Sequence, residues 1–252
     1  MKPVILALTA AKGGVGRSLL AANLAVVLAA KGHPTALLDL APACQGTLDL
    51  YLGLSPERSW ADLLPVITEL EPRHLDLTLA RYSEPPLALL ATPSEVRAAL
   101  MFPERGLEPL FRALGQHYAA VVVDLPLMSS RLTYHVLRWA TVPMVVVTPD
   151  LPAMRNTKRW LQTLNKQQPW PWQVVVNQYA RRAPMTLREI KTYLKASPDA
   201  VLPYDAVAAW QTVGLGRPFV LRRRRGLAGA VRRWAQQVLA GVESKNREAK
   251  RA

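Results

Sequence analysis

Near the N-terminus the chain reads Lys12-Gly13-Gly14-Val15-Gly16-Arg17-Ser18, set between an apolar run and a helical pattern. Two cations flank the glycines and a hydroxyl closes the segment. Glycine lets the backbone curl until successive N–H groups point into one concavity, and the N-terminus of the following helix adds a partial positive charge. Such a loop cradles phosphate oxygens, with the Ser18 hydroxyl placed to ligate Mg²⁺. Asp124, closing the run Ala120 to Val123, is a second candidate ligand. A carboxylate at the C-terminal end of a buried strand can hold Mg²⁺ through water. The plain structural alternatives are a tight strand-to-helix turn and a helix-capping aspartate; the two cations and the serine favour phosphate.

The elements that must position these groups alternate along the chain. Short apolar runs predict strands at Val4 to Thr9, Thr35 to Asp39, Leu87 to Ala91, Ala120 to Asp124, Met144 to Thr148, Gln173 to Val176 and Ala200 to Leu202. Helical patterns fall between them at Ser18 to Lys31, Glu104 to His117, Arg131 to Ala140, Ala153 to Asn165 and Leu187 to Lys195. Continuous apolar strands alternating with helices predict an α/β fold: one doubly wound, mostly parallel sheet with helices on both faces. Ligands in such sheets sit at the carboxyl ends of the strands. One domain over residues 1–242 is expected, ending in a basic amphipathic helix over 226–242 and followed by a polar, fraying tail over 243–252.

Composition excludes several classes. Half of the 252 residues are hydrophobic and 20% are charged, which is too apolar for a disordered chain. The one cysteine, Cys44, has no partner for an internal disulfide and no His or Cys cluster around it, which supports a cytoplasmic setting and no zinc site. No apolar run reaches the ~18 to 20 residues of a membrane-spanning helix. His33, His74, His117 and His135 are scattered without ligand or triad spacing. Residues 1–150 hold 12 Lys+Arg and 13 Asp+Glu, whereas residues 151–252 hold 20 and 5. The whole basic excess therefore lies in the last two-fifths, where it points to a polyanionic surface.

With an early lysine and a late cation, the loop resembles the deviant Walker A motif of the ParA/MinD ATPases, a family with the P-loop NTPase fold. There the early lysine, matched by Lys12, reaches across a sandwich homodimer to the partner's nucleotide. Arg17 departs from the family's second lysine: it keeps the charge, but its planar fork is bulkier than an ammonium. Where the family writes two carboxylates after the second strand, Leu38-Asp39-Leu40-Ala41 keeps the first and replaces the water-orienting second by Ala41. The resemblance implies ATP and Mg²⁺ as cofactors. It places Gly13 to Arg17 around the phosphates, Ser18 and Asp124 at the metal, Asp39 in switch I, Asn177 at adenine, and the Leu202-Pro203-Tyr204-Asp205 loop over the purine. Hydrolysis is expected to be slow or absent. Asn177, directly after a strand, and Asp205 also suit ordinary turn chemistry.

The run Thr148-Pro149-Asp150-Leu151-Pro152-Ala153-Met154-Arg155-Asn156-Thr157-Lys158-Arg159 resembles the branch with the pilus-assembly proteins CpaE and TadZ. It implies a partner in a Flp (tight-adherence) pilus or secretion machine and a place at the inner membrane or a cell pole. The receiver-like N-terminal module of many such proteins is not expected, because the chain begins at its first strand. The short cellulose-synthesis ATPase BcsQ is a similar relative. For the basic segment around Arg222-Arg223-Arg224-Arg225, three readings stand side by side. They are a helix docked on the sheet through Leu227, Val231, Trp234, Val238 and Val242, a helix lying on an anionic membrane, and non-specific DNA binding.

Overall fold

In the computed structural model, which describes residues 3–95, 101–167 and 169–249, the apolar runs become one eight-stranded sheet. The strands are β1 (Val4–Thr9), β2 (Thr35–Asp39), β3 (Ala80–Tyr82), β4 (Leu87–Leu90), β5 (Ala120–Asp124), β6 (Val142–Val147), β7 (Gln173–Tyr179) and β8 (Ala200–Pro203). Their spatial order is β3-β4-β2-β5-β1-β6-β7-β8. All neighbours run parallel except β3, which pairs antiparallel with β4 at the edge. The helices are α1 (Arg17–Ala30), α2 (Leu48–Leu52), α3 (Pro72–Thr78), α4 (Leu107–His117), α5 (Arg131–Leu137), α6 (Leu151–Gln167), α7 (Leu187–Leu194), α8 (Ala206–Leu215), α9 (Phe219–Arg222) and α10 (Gly226–Ala249).

The period-2 geometry of a strand divides the core. On β1, Ile5 and Ala7 face a layer that includes α4, α5, α6 and α7, while Leu6 and Leu8 face α1 and α10. Helix α1 is buried without a break from Leu20 to Ala29, which explains why its sequence is apolar all round rather than striped. Its Asn23 is also buried: the amide donates to the Leu19 carbonyl and accepts the Val220 N–H, tying α1 to α9.

The order reverses about β1. Strands later in the chain run outward from it on one side through β6, β7 and β8, and the earlier ones lie beyond β5 on the other. Loops leaving the carboxyl ends on either side of such a switch point diverge and open a crevice. Register brings the chemistry to that end: Leu8 of β1 and Asp39 of β2 both pair with Asp124 of β5.

Three features differ from the sequence reading. The tail is helical as far as Ala249, because α10 runs on past Val242. Strand β3 and helices α3, α8 and α9 were not expected. Leu227, Val231, Trp234, Val238 and Val242 are all buried, so α10 is docked by its apolar stripe. The face with which a membrane-lying helix would insert is thus covered by protein, while Arg224, Arg225 and Arg233 beside it stay exposed.

Candidate functional site

The loop after β1 enters α1 through two left-handed glycines, Gly14 at φ 76° and Gly16 at φ 81°. A Cβ at Gly16 would stand 2.5 Å from the Asn177 amide nitrogen, so both conformation and space demand glycine there. No side chain caps α1 and no acidic residue lies in its first turn, which leaves its first amides for an anion. The loop is held from the β7 side. Asn177 Nδ2 donates to the Val15 carbonyl at 2.8 Å, and Gln178 Nε2 donates to the Gly14 carbonyl at 3.1 Å. Gln178 adopts φ 57° at an irregularity in the β7–β8 pairing, which turns its side chain to the loop.

Each loop cation has an aspartate. Lys12 Nζ lies 3.1 Å from Asp150 Oδ1. Burial alone would raise the Asp150 carboxyl, but hydrogen bonds from Thr148, the Ala153 N–H and Lys12 outweigh it and hold the group below its ordinary value. Asp150 also caps α6 through the Ala153 N–H. Arg17 grips Asp124 side-on, with Nε 2.5 Å from Oδ1 and Nη2 3.3 Å from Oδ2. The same Nη2 lies 3.4 Å from Ser18 Oγ. Asp124 is 1% exposed and Arg17 15%, so the pair is largely shielded from water.

Asp39 sits beside this pair. Its carboxylate accepts the N–H groups of Ala41, Thr47 and Leu48, which fixes the chain as it turns into α2. Gly46 makes this approach feasible, since a Cβ there would meet Asp39 Oδ2 at 2.9 Å and Thr92 Cβ at 2.6 Å. Desolvation, and then the charge of Asp124, push the Asp39 carboxyl up to about 6 against the three N–H bonds. With Ala41 in place of a second acid, the turn carries no further carboxylate to orient a water.

The structure thus brings Lys12, Gly13, Gly14, Val15, Gly16, Arg17, Ser18, Asp39, Asp124 and Asn177 to one end of the sheet. Pro203 and Asp205 lie three strands away from β1, at the end of β8. There Asp205 accepts the Ala208 N–H as the cap of α8 and lies 3.5 Å from Arg223. Sequence reasoning overlooked Asp150 and Gln178 as loop partners. The signal for Asp150 was its place one strand over, just past the end of β6.

A nucleotide phosphate fits the uncapped amides. A Mg²⁺ ion does not fit beside Arg17 as it stands, because the guanidinium engages both oxygens of Asp124 and the hydroxyl of Ser18.

Comparison with known proteins turns this geometry into a family. Residues 6–212 match the CobQ/CobB/MinD/ParA nucleotide binding domain. The chain belongs to that family. A putative septum site-determining protein MinD of Guillardia theta is 26% identical over 230 residues, 89% of this chain and 84% of that protein. The ParA family ATPase of Chlorobium tepidum superposes with a TM-score of 0.84 at 23% identity, covering 93% of this chain and 98% of its own. The Pyrococcus horikoshii MinD solved with Mg-ADP gives 0.80 at 20% identity, covering 95% and 98%. The fold of these neighbours is that of the eight-stranded sheet described above.

Away from the loop, the basic segment splits in two. Arg223 bonds Gln211 and pairs with Asp205, and Arg232 donates to the carbonyls of Arg223 and Val220, so both brace the packing of α8, α9 and α10. Arg217, Arg222, Arg224, Arg225 and Arg233 are exposed and form no ion pair among the described residues. No helix among the described residues is long and apolar enough to cross a membrane.

Proposed function

We propose that this chain is an ATP-binding, nucleotide-dependent dimerising switch with weak or absent hydrolysis, which localises or assembles a Flp (tight-adherence) pilus or secretion machine. The observation that carries the reading is the loop: the first amides of α1 have no side-chain cap, Arg17 is locked to Asp124, and Ala41 leaves no second acid. Nucleotide binding by solved relatives supports ATP as the ligand. Lys12 would release Asp150 to reach the partner's phosphates across the homodimer, and Asn177 with Pro203 and Asp205 would enclose the base. Helix α8 supports a docking role. Val207, Trp210 and Val213 are exposed along it, Trp210 to 76%, and the exposed Arg217 and Arg222 follow it in the chain.

Light scattering of purified protein with and without saturating ATP tests the switch. The mass should double with ATP and stay monomeric in Lys12→Ala; an unchanged mass under saturating nucleotide contradicts the reading.

A second reading, non-specific DNA binding in a positioning ATPase, is favoured by the five exposed arginines. Binding to random duplex DNA should then weaken steeply with salt, whereas a flat log–log slope speaks against it.

A further inference from the structure

Arg17 spans the two side chains that would hold a divalent metal. Nε and Nη2 take both oxygens of Asp124, and Nη2 also reaches Ser18 Oγ. Magnesium requires near-octahedral oxygen ligands at about 2.0–2.1 Å and gives up its waters reluctantly. Asp124 would hold such an ion directly or through one of its waters, and the guanidinium already occupies both of its oxygens. Arginine, in contrast, suits the slot. It is permanently charged, more weakly hydrated than an ammonium, and shaped for side-on carboxylate contact, so a largely buried position costs it less than it costs a compact cation. Expelling it would strand a guanidinium next to the apolar start of α1. The Arg17 Nη1 has no partner among the described residues, and the side chain keeps 15% exposure, so one edge of the fork remains for an anion in the loop.

We propose that Arg17 takes the place of Mg²⁺ at Ser18 and Asp124, so that this chain binds nucleotide without a divalent cation. The proposal rests on the nucleotide-binding reading above. It makes the loop a phosphate site with a tethered monovalent cation, in which the charge between Asp124 and the phosphates cannot leave with the nucleotide or be removed by a chelator.

The test is the affinity of the intact chain for a fluorescent ATP analogue, measured once in EDTA and once in millimolar Mg²⁺, for the wild type and for Arg17→Lys. The wild-type dissociation constants should agree within about twofold, and the lysine variant should bind at least tenfold more tightly with Mg²⁺. A wild type that needs Mg²⁺ by tenfold or more overturns the proposal and leaves nucleotide binding intact. Absence of binding by the wild type under both conditions overturns the nucleotide reading itself. The wild-type comparison decides the matter even where the lysine variant does not fold.

Discussion

Cations serve opposite purposes in the phosphate loop and in the segment before α10. Lys12 and Arg17 are each paired with an aspartate from a neighbouring strand end, and Arg17 is almost out of water. Arg222, Arg224 and Arg225 are exposed and lack such a carboxylate among the described residues. The near-neutral part of the chain is therefore where charge is placed with most constraint, and the strongly basic part is where it is left to solvent or to a partner. Net charge alone points to the second region, while the geometry of a nucleotide site lies in the first.

The sharpest way to break this contrast is to remove one aspartate. Asp124→Ala leaves Arg17 shielded without a counter-charge, and urea unfolding should show a loss of about 3 kcal/mol. The next effect concerns Asp39, whose carboxyl sits near 6 in the folded chain against 3.8 when free. Because the folded value is the higher one, the folded state disfavours the charge, and the penalty grows as pH rises from 3.8 through about 6. Asp39→Asn gives up one of the two oxygens that accept the three N–H groups, a loss that is the same at every pH, but relative to the wild type it should gain on the order of 2 kcal/mol between pH 4 and pH 8. Denaturation midpoints at the two pH values check it; a difference between the two proteins that stays constant would contradict the buried charge. The smallest effect is expected from Arg222, Arg224 and Arg225 replaced together by alanine, which should change stability by no more than about 0.5 kcal/mol per site. If that surface meets DNA, the same triple variant should lower the salt slope of binding by about 2 to 3, and Arg17→Lys should leave the slope unchanged.

Much of the central sheet was legible in the sequence because its strands are buried on both faces and read as continuous apolar runs; β1, β2 and β5 fall where Val4 to Thr9, Thr35 to Asp39 and Ala120 to Asp124 place them. Strand β3 was not legible, since three residues centred on the exposed Arg81 have neither the length nor the apolarity of a buried strand. Helix α8 escaped for a related reason: its apolar residues face water, so no stripe marks its inner side. The stripe on α10 was readable, but a sequence cannot say whether lipid or protein covers it, and α1 and β8 supply the answer. At the site, the loop and the two acids were visible as types and spacing. The pairing of Arg17 with Asp124 was not, because the residues are 107 positions apart and meet only through the β1–β5 register.

The central claim is that the loop binds nucleotide but is chemically disarmed by Arg17 and Ala41. Phosphate release from ATP, followed in parallel for the purified wild type and the Arg17→Lys, Ala41→Asp double variant, tests it most directly. Release from the wild type should be slow or at background, and the double variant should be at least tenfold faster than the wild type or than that background, equivalent to about 1.4 kcal/mol of barrier. Wild-type turnover equal to that of the double variant would contradict it.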